Sequence, residues 1–215
     1  MDKEIKVTRA ACARVPTADG SFELCVYENN QDDKEHLAIV MGDVFRQRDV
    51  AVRIHSECFT GDVLGSRRCD CGEQLHRAME YVAMEGQGII IYLRQEGRGI
   101  GLKEKLLAYN LQDDGLDTVD ANLALGHAAD GRDYSAAAAI LRDLEVRSVR
   151  LMTNNPEKIS DLERLGIPVS ERVALETTVY PDNAAYLLTK VQRMHHLLDA
   201  RPLMNALVSH TNGHH

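Results

Sequence analysis

Three cysteines constrain this chain more than any other feature. Cys58, Cys69 and Cys71 are spaced C-x10-C-x-C within Arg53-Ile54-His55-Ser56-Glu57-Cys58 and Arg67-Arg68-Cys69-Asp70-Cys71-Gly72. Thiolates are soft ligands that suit Zn²⁺, which prefers tetrahedral sulfur and nitrogen coordination. Cys69 and Cys71, at i and i+2, can face one ion from a strand end or from a turn. Gly61, Gly65 and Gly72 let the chain fold back so that Cys58 joins them. No fourth ligand follows at matching spacing, and three protein thiolates leave one tetrahedral position open, the layout of a catalytic metal site. His55 and Glu57 are also candidate ligands by spacing. Small buried thiols are the plain alternative for a lone cysteine; clustering beside His55, Glu57, Asp62 and Asp70 favours metal.

Composition narrows the rest. At 215 residues and 44% hydrophobic content, the chain can bury a core as one large domain or two small ones. A net charge of -8 argues against nucleic acid as a partner, but not against an anionic small molecule where basic residues cluster. Five cysteines with C-x-C spacing read as intracellular metal chemistry rather than a disulfide framework. The start, Met1-Asp2-Lys3-Glu4, has no apolar signal core, and no apolar run approaches a membrane span. The expected location is therefore the cytoplasm, with no membrane partner.

Phe22–Tyr27 and Leu37–Val44 are β-prone runs joined by a polar loop, and Val50–Ile54 is a strand that delivers the chain to the cysteines. Leu75, Met79 and Val82 recur at helical spacing over Glu73–Glu85, with Gly86 suited to the C-cap. Gly88–Leu93 reads as a buried strand, ending in the glycine-rich turn Arg94-Gln95-Glu96-Gly97-Arg98-Gly99-Ile100-Gly101 and a helix from about Leu102 to Leu111. Ser135 is a candidate cap for the helix Ala136–Leu144, and Asn155 with Pro156 opens another. Asn183–Leu198 has helical periodicity, and residues 201–215 read as a disordered tail. Strands alternating with helices from residue 72 onward indicate an α/β fold with a largely parallel or mixed sheet.

Six words in order, from Arg53 to about Arg172, carry a resemblance. They are Arg53–Asp62, Arg68–Gly72, Arg94–Leu102, Asp117–Asn122, Asp130–Tyr134 and Thr153–Lys158. Together they resemble GTP cyclohydrolase II, an enzyme of riboflavin biosynthesis. The resemblance implies a three-layer α/β/α domain over residues 1–200, and a homodimer. It implies that GTP is opened at its imidazole ring and yields formate, pyrophosphate and 2,5-diamino-6-ribosylamino-4(3H)-pyrimidinone 5′-phosphate. One Zn²⁺ per chain on Cys58, Cys69 and Cys71 and Mg²⁺ on the substrate phosphates are implied with it. By the same carry-over Asp130 is the proton acceptor, Tyr109 an active-site tyrosine, and Arg132 the nucleophile at the α-phosphate. A guanidinium is a poor nucleophile, and clamping the phosphate is an equal reading of Arg132. Nucleotide contacts carry over to Arg53, Ile54, His55, Ser56, Glu57, Gln74, Glu96, Gly97, Arg98, Thr118, Thr153 and Lys158. His127 stands where the family commonly has an aromatic residue. At this length, the fused domain that makes the other riboflavin precursor is not expected. Two alternatives stay open: a paralogue that opens the ring but retains the formyl group, and a zinc-stapled nucleotide-binding module without turnover.

Overall fold

The computed structural model describes residues 5–128 and 131–211. Its sheet has seven strands in the order β1-β2-β3-β5-β4-β6-β7. The strands are β1 (Val7–Pro16), β2 (Ser21–Asn29), β3 (His36–Met41), β4 (Val50–Ser56), β5 (Gly88–Leu93), β6 (Val149–Met152) and β7 (Val169–Val173). The β1, β2, β3 and β5 neighbours pair antiparallel, and β5, β4, β6 and β7 pair parallel. The sheet is therefore mixed, as the alternation of elements predicts. The helices are α1 (Phe59–Asp62), α2 (Cys71–Glu85), α3 (Gly101–Asp113), α4 (Thr118–Ala124), α5 (Ser135–Asp143), α6 (Pro156–Arg164), α7 (Pro181–Met194) and α8 (Ala200–Thr211).

Side chains alternate across a strand, so the central strands feed two cores. Ile89 and Ile91, with Val50, Val52 and Ile54, pack with Ala137, Ile140 and Leu141 of α5 and Leu162 of α6. Ile90 and Ala51 point the other way, toward Ala78 and Val82 of α2. That is the three-layer arrangement, and it explains why β5 is an unbroken apolar run: both of its faces are covered. The α2 helix ends where the spacing predicts, because Gly86 adopts the left-handed conformation (φ 67°) that a side chain resists.

Four expectations need correction. Ser135 does not cap α5 but begins it; the turn before it is tied by Asp133, whose carboxylate accepts from both Ser135 N and Oγ. The strand expected over Val146–Met152 starts only at Val149. The segment read as a disordered tail carries α8 through Thr211, because Leu203 is buried there; residues 212–215 lie outside the described residues. The cysteines outside the cluster are joined as a Cys12–Cys25 disulfide. The antiparallel register sets these two directly opposite across β1 and β2, with Cα atoms 4.1 Å apart, which spacing in sequence could not reveal. Among the described residues no helix is long and apolar enough to cross a membrane.

Candidate active site

Three of the sequence words sit at the carboxyl ends of adjacent parallel strands. Glu57-Cys58 follows β4, Arg94–Gly99 follows β5, and Thr153–Asn155 follows β6. The chain leaves β4 for β5 on one side, while β6 lies on the other. Ligands of open α/β sheets bind at such a divergence point, and here a deep cleft lined by residues of these words opens there.

The three thiols converge as their spacing implies. Cys58 precedes α1, Cys71 begins α2, and Cys69 lies in the loop between. Their sulfurs lie within 4.8 Å of one another. A tetrahedron with metal–sulfur bonds of about 2.3 Å has edges of about 3.8 Å. The Cys58 and Cys69 sulfurs are 3.7 Å apart. Gly61 makes this possible: a Cβ there would stand 3.0 Å from Cys69 Sγ and 3.1 Å from Cys58 Sγ. The residues therefore fit a thiolate-bound metal. Hydrogen bonds from Cys69 and Cys71, with the nearby Lys105 ammonium, hold the Cys58 thiol far below its usual pKa. The bond to Cys58 pushes Cys69 up to about 11, and Cys71 is raised for the same reason.

Neither His55 nor Glu57 belongs to the cluster. His55 Nε2 lies 3.0 Å from Asp62 Oδ1, and the ring stacks on Tyr92. Asp62 also accepts from Cys58 N (2.9 Å) and Tyr92 Oη (2.8 Å), so it orients the first ligand's backbone. Glu57 pairs with Arg94 at 3.0 Å, and Ser56 Oγ accepts from Gln95. Glu96 lines the cleft and is tied within the protein: Oε1 accepts from Gly97 N and Lys105 Nζ, both at 2.8 Å, and Oε2 from Phe59 N at 2.6 Å. Lys105 Nζ in turn reaches Cys58 Sγ at 3.0 Å. Burial works against the Lys105 charge, but Cys58 and Glu96 hold its pKa above the usual value.

Apart from Ile54 and Asp130, the other expected residues line one cleft. Arg53 is buried, donating to Met152 O (3.0 Å) and Gln74 Oε1 (2.5 Å). Lys158 donates to Ile54 O at 3.0 Å and lies over the Tyr134 ring. The Ile54 side chain itself belongs to the core, so this residue serves the site through its carbonyl. Gly97, Arg98, Thr118, Arg132 and Thr153 also face the cleft. Arg98 is held at φ 61°, an uncommon conformation for a side-chain-bearing residue. Tyr109 Oη is 3.3 Å from Thr60 Oγ1, and burial raises its pKa. Asp130 lies outside the described residues. Its neighbour Gly131 abuts the glycine turn, where a Cβ on Gly99 would come 3.0 Å from Gly131 O. His127 Nε2 is 3.4 Å from Glu104.

The sequence reading missed Lys105, which lies one turn before Tyr109 on the same helix, a spacing that could have nominated it. It also missed Tyr186, Lys190, Met194 and His196, which enter the cleft from α7 and the turn beyond it. Nothing local marks these. Among the described residues, the buried side-chain polar atoms without a partner are Arg53 Nε, His55 Nδ1, Arg98 Nη1 and His196 Nε2. All four belong to residues of this cleft, where a polar ligand would meet them.

Comparison with known proteins agrees with the geometry. Residues 8–174 match the family model described as GTP cyclohydrolase II. The chain is 55% identical over 194 residues to the riboflavin biosynthesis protein RibBA of Chlamydia trachomatis, covering 90% of this chain and 46% of that protein. It is 57% identical over 196 residues to RibBA of Salinispora tropica, covering 91% and 49%, and 53% identical over 199 residues to RibBA of Bacillus subtilis, covering 92% and 48%. The chain thus spans about half the length of the curated relatives it matches. The matched region contains the converging thiols and every nucleotide-contact residue expected from the motifs, and on that ground the chain belongs to the GTP cyclohydrolase II family.

Proposed function

We propose that the chain hydrolyses GTP to 2,5-diamino-6-ribosylamino-4(3H)-pyrimidinone 5′-phosphate, formate and pyrophosphate, the first step of riboflavin biosynthesis. The observation that carries this reading is the thiol cluster, with its 3.7 Å sulfur edge, opening into a cleft with a basic wall. Cys58, Cys69 and Cys71 would hold one zinc ion per chain, which supplies Lewis-acid activation of water near neutral pH.

The chain's own residues divide the remaining work. Arg53, Arg98, Arg132 and Lys158 give an acidic protein a local cationic surface for the triphosphate. Arg132 acts there as a phosphate clamp, since a guanidinium is always protonated near neutral pH and binds phosphate with two parallel donors. Tyr109, kept protonated by burial, can donate to the purine as its ring opens. Asp130 is assigned by family resemblance as the proton acceptor. Mg²⁺ on the leaving pyrophosphate, a homodimer and a cytoplasmic location belong to the same reading.

The test is product analysis. Zinc-loaded protein given GTP and Mg²⁺ is expected to release formate and pyrophosphate and to form the deformylated pyrimidine. A product that keeps the formyl group would replace this reading with ring opening alone. Unchanged GTP would replace it with nucleotide binding.

A further inference from the structure

The family match ends at residue 174, yet one wall of the cleft is built beyond it. The α7 helix is strapped across the cleft from end to end. At its approach, Thr178 N and Oγ1 donate to Glu73 of α2 at 2.9 and 2.8 Å. In its middle, Lys190 Nζ donates to Asp70 at 2.6 Å, a pair with side chains only 8% and 1% exposed. Asp70 sits between two of the thiols in sequence. One turn later Arg193 reaches Asp117 (2.6 Å) and Asp120 (3.2 Å) of α4. Past its end, Leu197 N donates to Asn154 O at 2.8 Å, in the turn after β6.

The helix stops in a way that aims one side chain. His195 takes the left-handed conformation (φ 54°), and His196 N closes onto Lys190 O at 3.0 Å. This reversal brings His196 into the cleft, where its Nε2 is buried and has no partner among the described residues. Among the described residues, the charges acting most strongly on the ring are those of Lys190, Arg132 and Lys158, with the Asp70 carboxylate, which Lys190 already pairs, acting the other way. Burial first, and then these cations, lower the His196 pKa to about 3, so the imidazole is neutral at physiological pH. A neutral imidazole in a cationic surround is suited to donate a hydrogen bond to an anion.

We propose that His196, aimed by the α7 strap, is a phosphate-binding residue of this site, donating Nε2–H to an oxygen of the GTP phosphate chain. Lys190 is a positioning residue that fixes the strap to the cysteine loop. The inference rests on the GTP reading above and extends the site beyond the residues the family match covers.

The experiment is calorimetric binding, with zinc-loaded full chain, of a GTP analogue that is not hydrolysed and, separately, of guanosine. His196→Ala is expected to weaken the triphosphate about tenfold and leave guanosine unchanged, since only the phosphate loses a donor. His196→Gln, which keeps an amide donor, is expected to recover part of the loss. Equal affinity of parent and His196→Ala for the triphosphate would overturn the proposal while leaving the GTP reading intact. Equal loss of triphosphate and guanosine would also overturn it, marking a structural role. A parent chain that binds neither ligand would remove the GTP reading and this proposal with it.

Discussion

Replacing Gly61 by alanine tests the thiol cluster sterically while leaving every ligand in place. Gly61 lies in the short α1 turn, so alanine meets no backbone penalty. Its new methyl would sit 3.0 Å from Cys69 Sγ, 3.0 Å from Cys71 Cβ and 3.1 Å from Cys58 Sγ. Carbon contacts are comfortable only from about 3.5 Å, so the sulfurs must retreat by roughly half an ångström. Overpacking of this kind costs about 1–3 kcal/mol. A metal-free cluster can splay to relieve it, whereas a metal-bound one cannot, so the cost falls mainly on the bound form. At about 1.4 kcal/mol per tenfold, zinc affinity is expected to drop roughly 5- to 150-fold. Competition against a chromophoric chelator reads this directly. Gly65→Ala is the control: it is strained at φ +64°, but nothing lies within 4 Å, so it should lose some stability and no zinc affinity. If Gly61→Ala holds zinc as tightly as the parent, the sulfurs do not close on a metal in the manner described.

Three further outcomes are expected. Ile90→Ala removes a fully buried side chain from the central strand and should cost about 2–5 kcal/mol in urea unfolding at an unchanged m-value. Burial raises the Asp70 pKa, but Lys190 outweighs it and leaves the carboxyl below its usual value. The stabilisation it contributes is therefore complete above the unfolded carboxylate pKa of about 4 and lost as pH falls through the lower folded value. Acid unfolding followed from pH 6 downward should show Asp70→Asn as less stable than the parent at neutral pH, with the difference shrinking in acid; a constant difference would exclude the linkage. Tyr109→Phe should fold normally, bind the triphosphate analogue as the parent does, and turn over GTP about 10²-fold more slowly. Unaltered turnover would remove Tyr109 from the chemistry.

What the sequence could reveal was decided by whether a feature is local. The cysteine spacing, the β5 apolar run with its glycine turn, and Asn155 capping α6 through Glu157 N are all written within a few residues of one another. Their structure follows from backbone geometry. Lys190 meets Asp70 across 120 positions, and Cys12 meets Cys25 only because strand register sets them opposite. Such partners are fixed by packing, which no short window contains. Glu96 shows a different limit. Its motif marks it as a nucleotide contact and it lines the cleft, while its carboxylate also ties the glycine turn, α1 and Lys105 together. A motif names the residues a site needs without separating those that touch the ligand from those that hold the frame.

The most direct test of the central claim, that three thiolates hold a metal serving purine ring hydrolysis, is the formate released per GTP as zinc occupancy is varied. Formate release is expected to be absent in the chelated chain, to rise in proportion to bound zinc, and to reach its full rate at one zinc per chain. Full formate release from a zinc-free chain, or none from a chain carrying its full zinc, would contradict it.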